Sequence, residues 1–292
     1  MIRSLNIATS VDVLPAGAIV EDRGPYVVVR SPSNHTHFWG NFLMYRESPR
    51  AGDRVRWEAD FRREIATGRH LAFTWDTGDG VLGEARAEFE AAGYELGDEV
   101  ALVATRTELR AHARASDDVT VRRLDPVVDG ADEAVWAAVV ELQVSTREAG
   151  HSEHDHRAFT QSRMADHRRR FARGDGAWFV AETAQGELAA SCGLYVTSGR
   201  GRFQAVDTAE PFRRRGIATR LVHEAGTAGF EQMGAEHLVI VADADYHALP
   251  LYESLGFVAR ERTWGLAWWP SAPHADRHPE FGAHGVPPTE RG

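Results

Sequence analysis

The sequence predicts an α/β protein with two domains, and two observations lead to this expectation. Both halves of the chain contain apolar or alternating strand-like segments that are followed by helix-like segments. The chain has 292 residues, which is long for one domain, since domains commonly contain about 100–150 residues. We expect domains at residues 1–115 and 116–270, followed at 271–292 by a flexible tail rich in proline, glycine and histidine.

The stretch from Phe203 to Gly234 predicts a strand, a basic turn and an amphipathic helix. Residues 202–208 alternate and carry side chains that suit a strand, and Pro211 then ends the strand because proline has no N–H to donate. Gly234 stands where a helix commonly ends. Apolar residues recur at helical spacing between these limits, namely Ile217, Leu221, Val222, Ala225, Ala228 and Met233.

The junction between this strand and this helix predicts an anion site. The first N–H groups of a helix have no intrahelical acceptor and carry a partial positive charge. Gly216 stands at the helix start, where the absence of a side chain lets the oxygens of an anion approach the backbone. Arg213, Arg214 and Arg215 add positive charge beside it. A diphosphate fits such a junction.

Two motifs in this region resemble those of the GNAT superfamily of N-acetyltransferases. Arg213, Gly216 and Ala218 match the family's Q/R-x-x-G-x-G/A signature. The strand HLVIVAD (237–243) and the helix that ends in LYESLGF (251–257) are similar to its second coenzyme-contacting segment. The resemblance covers about residues 117–269. It implies a central, mostly antiparallel mixed sheet flanked by helices, with acetyl-CoA as cosubstrate.

The resemblance also implies roles for individual residues. Tyr252 stands where the family's usual general acid lies and would protonate the leaving thiolate, although a core tyrosine is the alternative. The backbone of residues 206–208 would pair with the pantetheine arm, and the amides of residues 214–219 would hold the diphosphate. The residues expected at the coenzyme are Val206, Asp207, Thr208, Arg213, Arg214, Arg215, Gly216, Ile217, Ala218, Thr219 and Asp245.

The reaction expected from these residues is transfer of an acetyl group from acetyl-CoA to a primary amine, by direct attack in a ternary complex. The alternative is a non-catalytic regulatory protein that binds acyl-CoA at the same turn. The sequence does not decide which residue acts as the general base. The candidates are Asp207, Glu210 and residues 150–156. The acyl group and the acceptor, a small-molecule or a protein amine, also stay open.

The first half of the chain repeats the order of the second half. The strand HLAFTWD (70–76) resembles HLVIVAD, and FEAAGY (89–94) resembles YESLGF (252–257). We therefore infer an internal duplication and a tandem arrangement. The first copy lacks the signature spacing around Gly52 and has Phe89 in place of the tyrosine. We expect a degenerate GNAT-like domain that either walls the acceptor site or only stabilises its partner.

Composition restricts the partners and the location. The net charge is −10, which argues against nucleic acid and anionic membranes and mildly favours a cationic acceptor such as a polyamine or aminoglycoside. We expect no membrane span, and the first ten residues lack the apolar core of a signal peptide. Cys192 is the single cysteine, which suits a reducing cytoplasm. The oligomeric state is open.

Several further residues have a chemical and a structural interpretation. His35 and His37 alternate as a metal pair would, but no third ligand is evident, so we expect surface histidines. The segment 150–159, with three histidines, predicts a polar loop that is either solvated or lies over the acceptor, and we predict no metal site. Cys192 is expected to be a buried hydrophobe rather than an acyl-accepting nucleophile.

Overall fold

The computed structural model describes residues 2–32, 38–66, 68–78, 81–146, 153–245 and 248–270. Its contacts divide the chain into two units. Within the described residues, the first unit holds the chain up to Ala101, Val241–Asp245 and the chain from Ala259 onward. The second holds Leu102–Ile240 and the chain from 248 to Val258. His35, His37, His151 and the predicted tail at 271–292 lie outside the described residues.

The first unit is a mixed sheet with helices. In spatial order its strands are β1 (Ile19–Asp22), β2 (Tyr26–Arg30), β3 (Phe42–Tyr45), β4 (Leu71–Trp75) and β11 (Val258–Trp268). Only the β3–β4 pair among these is parallel. Its helices are α1 (Leu5–Asp12), α2 (Asp53–Glu64) and α3 (Arg86–Ala91), with short 3₁₀ helices at Phe38–Gly40 and Gly83–Ala85. Strand β5 (Glu95–Thr105) begins in this unit and ends in the second.

The second unit is also a mixed sheet flanked by helices. In spatial order its strands are β10 (His237–Asp243), β9 (Arg200–Thr208), β8 (Leu188–Thr197), β7 (Gly176–Thr183) and β6 (Val119–Arg123). The β9–β10 pair is parallel and the other pairs are antiparallel. Its helices are α4 (Glu133–Ser145), α5 (Glu153–Phe171), α6 (Ile217–Gln232) and α7 (Leu249–Ser254), with a 3₁₀ helix at Glu210–Phe212. The predicted α/β class with mixed sheets and flanking helices is confirmed.

Helices cover both faces of the second sheet. Leu194 lies beneath α6, where its Cδ2 atom is 2.8 Å from the position of a Cβ added to Gly229. The neighbouring Tyr195 points to the opposite face, as successive residues of a strand do. There its ring lies 5.6 Å from that of His167 on α5. The apolar stripe predicted for α6 is therefore the side that packs on the sheet.

The structure corrects three sequence expectations. The segment 150–159 is not all loop, because α5 already begins at Glu153. The apolar residues Val135, Val139 and Leu142 at helical spacing predict a helix from Ala131 to Glu148, whereas α4 runs only from Glu133 to Ser145. Residues 258–268 were assigned to the second domain, but β11 pairs antiparallel with β4 and belongs to the first unit. This last pairing joins segments that are remote in sequence, so local pattern does not reveal it.

Helix α1 begins after Ser4, a local N-cap whose Oγ accepts a hydrogen bond from the Ile7 amide at 3.3 Å. Tertiary contacts also hold its N-terminus. The amides of Arg3 and Ser4 donate to the buried carboxylate of Asp76 at 2.8 and 2.6 Å. The amide of Leu5 donates to Glu261 at 2.8 Å. Carboxylates at a helix N-terminus satisfy its free N–H groups and oppose its dipole. Remote side chains thus cap this helix, and the sequence analysis did not predict it.

Candidate functional site

The start of α6 presents backbone amides without acceptors. Gly216 is the N-cap, with φ 76° and no side-chain cap, and Arg214 also has a left-handed backbone, with φ 60°. The first intrahelical bond runs from the Arg220 amide to the Gly216 carbonyl, at 3.1 Å. Within the described ranges, no residue accepts a hydrogen bond from the amides of residues 216–219. This turn has the geometry of an anion site.

The three arginines of the turn differ in their partners. The Nε atom of Arg213 donates to the carbonyl oxygen of Thr208 at 3.2 Å. The Nη2 atom of Arg215 lies 3.2 Å from Asp118 Oδ2. Arg214 is exposed, and no described residue pairs with its side chain. Among the three, only Arg215 has a carboxylate partner within the described residues, so the charges of Arg213 and Arg214 both remain available to an anion.

The structure shows a further reason for glycine at position 216. A Cβ added at this position would lie 1.9 Å from the carbonyl oxygen of Arg114. The amide of Ser116 donates to the Gly216 carbonyl at 3.2 Å. The missing side chain therefore makes room for a neighbouring backbone segment of the same unit, and the positive φ requires glycine as well. The expectation that it also lets ligand oxygens approach the backbone stays a prediction.

The end of β9 lacks a strand partner on one edge. Its parallel pairing with β10 involves Arg200–Arg202 within the described residues, although β9 continues to Thr208. On the other edge a bulge interrupts the pairing with β8 between Ser191 and Gly193. Ala205, at the bulge, has φ 43°. Residues 206–208 thus form an open strand edge, which can pair with an extended ligand as a strand would.

Asp207 places a carboxylate at this strand end. It is 8% exposed, and Thr146 Oγ1 at the end of α4 donates to its Oδ1 at 3.2 Å. Burial, and secondarily the charge of Asp207, raise the pKa of the Cys192 thiol on the adjacent strand. A thiol that stays protonated is a poor nucleophile. Cys192 is buried, as predicted.

Tyr252 is buried on α7 and linked to β9 by aromatic contacts. Its side chain is 3% exposed, and its ring lies 6.4 Å from that of Phe257. Phe257 in turn lies 6.2 Å from Phe203 of β9 in an edge-to-face arrangement. The second unit thus joins the tyrosine helix to the strand that carries residues 206–208. Asp245 is exposed and is grouped with the first unit.

The region that holds these elements matches a family model. The model of the acetyltransferase (GNAT) family matches residues 136–257. Residues 136–257 form a GNAT-family domain. This range contains the α6 turn, the open end of β9 and Tyr252. It therefore includes all of the coenzyme and catalytic residues expected from the sequence.

Solved structures resemble the fold of most of the chain. A conserved protein of unknown function from Staphylococcus epidermidis ATCC 12228 is 13% identical, with TM-score 0.69 over 86% of this chain and 93% of that chain. A GCN5-related N-acetyltransferase from Kribbella flavida is 17% identical, with TM-score 0.62 over 90% and 94%. A tandem GNAT protein from the clavulanic acid biosynthesis pathway is 14% identical, with TM-score 0.54 over 91% and 88%. Comparison with curated proteins finds no match. The predicted tandem GNAT fold is confirmed.

The first unit repeats the GNAT turn but fills it with its own side chains. Gly52, with φ 86°, is the N-cap of α2, which connects the parallel strands β3 and β4 as α6 connects β9 and β10. The sequence analysis found no matching spacing at Gly52, yet its position is equivalent. Its amide donates to Glu88 Oε2 at 2.6 Å, and the Arg50 amide donates to Asp53 Oδ2 at 2.8 Å. Carboxylates therefore occupy this turn.

Strands β3 and β4 beside this turn stay paired with each other up to the last residue of β3. Tyr45, the last residue of β3, is paired with Trp75 of β4. The Asp76 amide then donates to the Tyr45 carbonyl at 2.9 Å. The β3–β4 pair thus has no open end like that of β9. These contacts, together with Phe89 in place of the tyrosine, leave neither an open turn nor an open strand end in this part of the first unit.

The sequence analysis missed the backbone segment that packs against both GNAT motifs. We call residues 106–118, which follow β5, the connecting segment. Its Arg114 carbonyl faces Gly216, and its Glu108 carbonyl lies 1.9 Å from the position of a Cβ added to Gly256. Backbone contacts depend little on side-chain identity. The sign of these contacts in the sequence is therefore the pair of glycines, Gly216 and Gly256.

Two kinds of feature are absent from the described residues. No group of three or more His, Cys, Asp or Glu residues there could hold a metal ion. None of the helices described has the length and apolar character needed to cross a bilayer.

Proposed function

We propose that this protein is an N-acetyltransferase that transfers an acetyl group from acetyl-CoA to a primary amine. The observation that supports this best is the joint presence, in one GNAT domain, of free helix-start amides and an open strand end. The amides of residues 214–219 and the Arg214 side chain would hold the diphosphate. The backbone of residues 206–208 would pair with the pantetheine arm and direct the thioester toward the acceptor.

The proposed chemistry is direct attack of a neutral amine on the thioester in a ternary complex. The attacking amine loses a proton, and we assign its acceptance to Asp207, directly or through water. Asp207 is favoured over Glu210 because it is buried at the open strand end, whereas Glu210 is exposed. A backbone amide of residues 206–208 would donate to the oxyanion of the tetrahedral intermediate. Tyr252 would protonate the departing thiolate.

A thiol-release assay with amine classes as acceptors tests this proposal. Polyamines, aminoglycosides, amino acids and peptides are offered with acetyl-, propionyl- or succinyl-CoA. We expect release with acetyl-CoA and at least one amine class. Binding of CoA without release from any combination would favour the alternative, a regulatory protein that binds acyl-CoA.

Replacing Tyr252 tests its role separately. Tyr252→Phe removes the hydroxyl and retains the buried ring, so coenzyme affinity stays near that of the wild type. Loss of a general acid lowers kcat by about 100-fold or more. An unchanged kcat would overturn the assignment of Tyr252 while leaving the transferase activity intact.

The acceptor and the location are also part of the proposal. The net charge of −10 supports a cationic amine, because the protein's field attracts positive ligands. The single, buried cysteine supports a cytoplasmic location. The acceptor panel in the thiol-release assay checks the first of these points.

A further inference from the structure

The helix that carries Tyr252 is too short to be stable by itself. Helix α7 has 6 residues, whereas isolated helices shorter than about 12 residues are marginal in water. Contacts at its ends must therefore hold it in place. Two of its last carbonyls accept bonds from the following turn, from Phe257 N to Tyr252 O at 3.2 Å and from Gly256 N to Glu253 O at 3.0 Å. This is the Schellman arrangement, with Gly256 at φ 97°.

Arg110 of the connecting segment donates to three successive carbonyls at this helix end. Its backbone amide donates to Leu255 O at 2.9 Å. Its guanidinium donates from Nε to Ser254 O at 3.2 Å and from Nη2 to Glu253 O at 3.3 Å. A cation at a helix C-terminus also interacts favourably with the helix dipole. Arg110 thus completes the C-terminal cap of α7.

The same segment is attached to the turn at the start of α6, residues 213–219, which we call the coenzyme turn. The Ser116 amide donates to the Gly216 carbonyl at 3.2 Å, and Asp118 pairs with Arg215 at 3.2 Å. Arg110 therefore lies between two backbone contacts, one at Gly256 and one at Gly216. A single short stretch of chain fixes the tyrosine helix relative to the turn, all within the second unit.

We propose that Arg110 is a positioning residue for Tyr252. It holds α7 in the orientation that aims the tyrosine hydroxyl at the leaving thiolate. This inference rests on the proposed function, in which Tyr252 is the general acid. It predicts that loss of the Arg110 side chain loosens α7 and lowers kcat, with little change in coenzyme binding at the α6 turn.

Hydrogen exchange of the full chain tests the structural part without any acceptor. We compare Arg110→Ala with Arg106→Ala, a matched control whose guanidinium binds the Phe230 carbonyl of α6. Phe230 lies about 20 Å along α6 from the coenzyme turn. In the presence of CoA, we expect at least about 10-fold faster exchange of the α7 amides in Arg110→Ala and wild-type exchange of α7 in Arg106→Ala. Equal protection of α7 in all three proteins would overturn the proposal.

A double-mutant cycle tests the catalytic part. Arg110→Ala should lower kcat about 10-fold in the wild type and less than about 2-fold in the Y252F protein, because the residue acts through the tyrosine. The KM for acetyl-CoA should change less than about 2-fold in each pair. Equal kcat losses in both backgrounds would overturn a positioning role. Arg110→Lys, which retains the charge, provides the comparison if Arg110→Ala folds poorly, and it should lose less activity.

The readouts separate this inference from the proposed function. If Y252F retains full kcat, the general-acid assignment fails, and the positioning role with respect to catalysis fails with it. If Y252F is impaired and Arg110→Ala is not, only the positioning inference is wrong. Hydrogen exchange reports on α7 in either case.

Discussion

The carbonyl oxygen of Arg114 lies where a side chain on Gly216 would begin. An added Cβ would be 1.9 Å from this oxygen, and Gly216 has φ +76°. The short contact and the positive φ each disfavour any residue with a side chain at position 216. The start of α6 therefore depends on a backbone contact with the connecting segment, and the coenzyme turn is built as much by that segment as by its own sequence.

Gly216→Ala should destabilise the protein and weaken coenzyme binding. The left-handed conformation alone costs about 1–2 kcal/mol for a residue with a side chain, and relief of the clash adds about 1–3 kcal/mol. Gly174→Ala is the matched control, because Gly174 has φ +92° with nothing within 4 Å of the added Cβ. Denaturant unfolding and CoA titration measure both effects. Equal losses of stability in the two variants would contradict the clash.

Arg214→Ala should weaken CoA binding about 10-fold at low salt. Arg214 is exposed, and no described residue pairs with its side chain, so its charge is available to a diphosphate. The loss should shrink as salt increases, because exposed charges are screened. Arg173→Ala removes the same charge from an exposed site after α5 and should leave the affinity unchanged. Calorimetric titration at two salt concentrations measures this, and equal effects of both variants would refute a specific contact.

The chain should bind a single CoA molecule. In the first unit the Gly52 amide is taken by Glu88, and β3 stays paired with β4 to its last residue, so neither part of the coenzyme site is open there. Calorimetry should give a stoichiometry of about one. Glu88→Gln should leave the affinity unchanged. A second binding event in the wild type would show that the first unit retains a working site.

Acidification should destabilise the protein as two histidines gain protons. Burial lowers the pKa of His223 and of His237 below the ordinary 6.5, and nearby Arg220 and Arg200 act in the same direction. The unfolded chain therefore takes up protons first as the pH falls below 6.5, and the folded state loses stability in that window.

The contribution of His223 can be isolated by substitution. His223→Gln removes its titration, so the free energy of unfolding should fall less steeply between pH 7.5 and pH 5.5 than in the wild type. His237→Gln should flatten the slope in the same way, because burial also lowers the pKa of His237. Denaturant unfolding at several pH values measures the slopes. A steeper slope in His223→Gln would mean that the sign is wrong.

The strand, turn and helix around Gly216 were predictable because their signals are local. Alternation over a few residues predicts β9, and three- and four-residue spacing predicts the buried face of α6. The glycine at the turn and the tyrosine at the fourth position of α7 lie within the range that the GNAT family model also matches. The site is thus assembled largely from one continuous stretch, and its elements follow chain order.

The sequence by itself predicted the fold class, the tandem arrangement and the motifs of the proposed coenzyme site, since these predictions follow from short-range periodicity and motif spacing. Only the tertiary structure decided which residues hold these motifs in place. The capping of α1 by Asp76, the pairing of β11 with β4, and the contacts of Arg110 and Arg114 join residues remote in sequence. Such contacts involve backbone carbonyls or single carboxylates, which many sequences can supply, so they become specific only when folding brings the partners together.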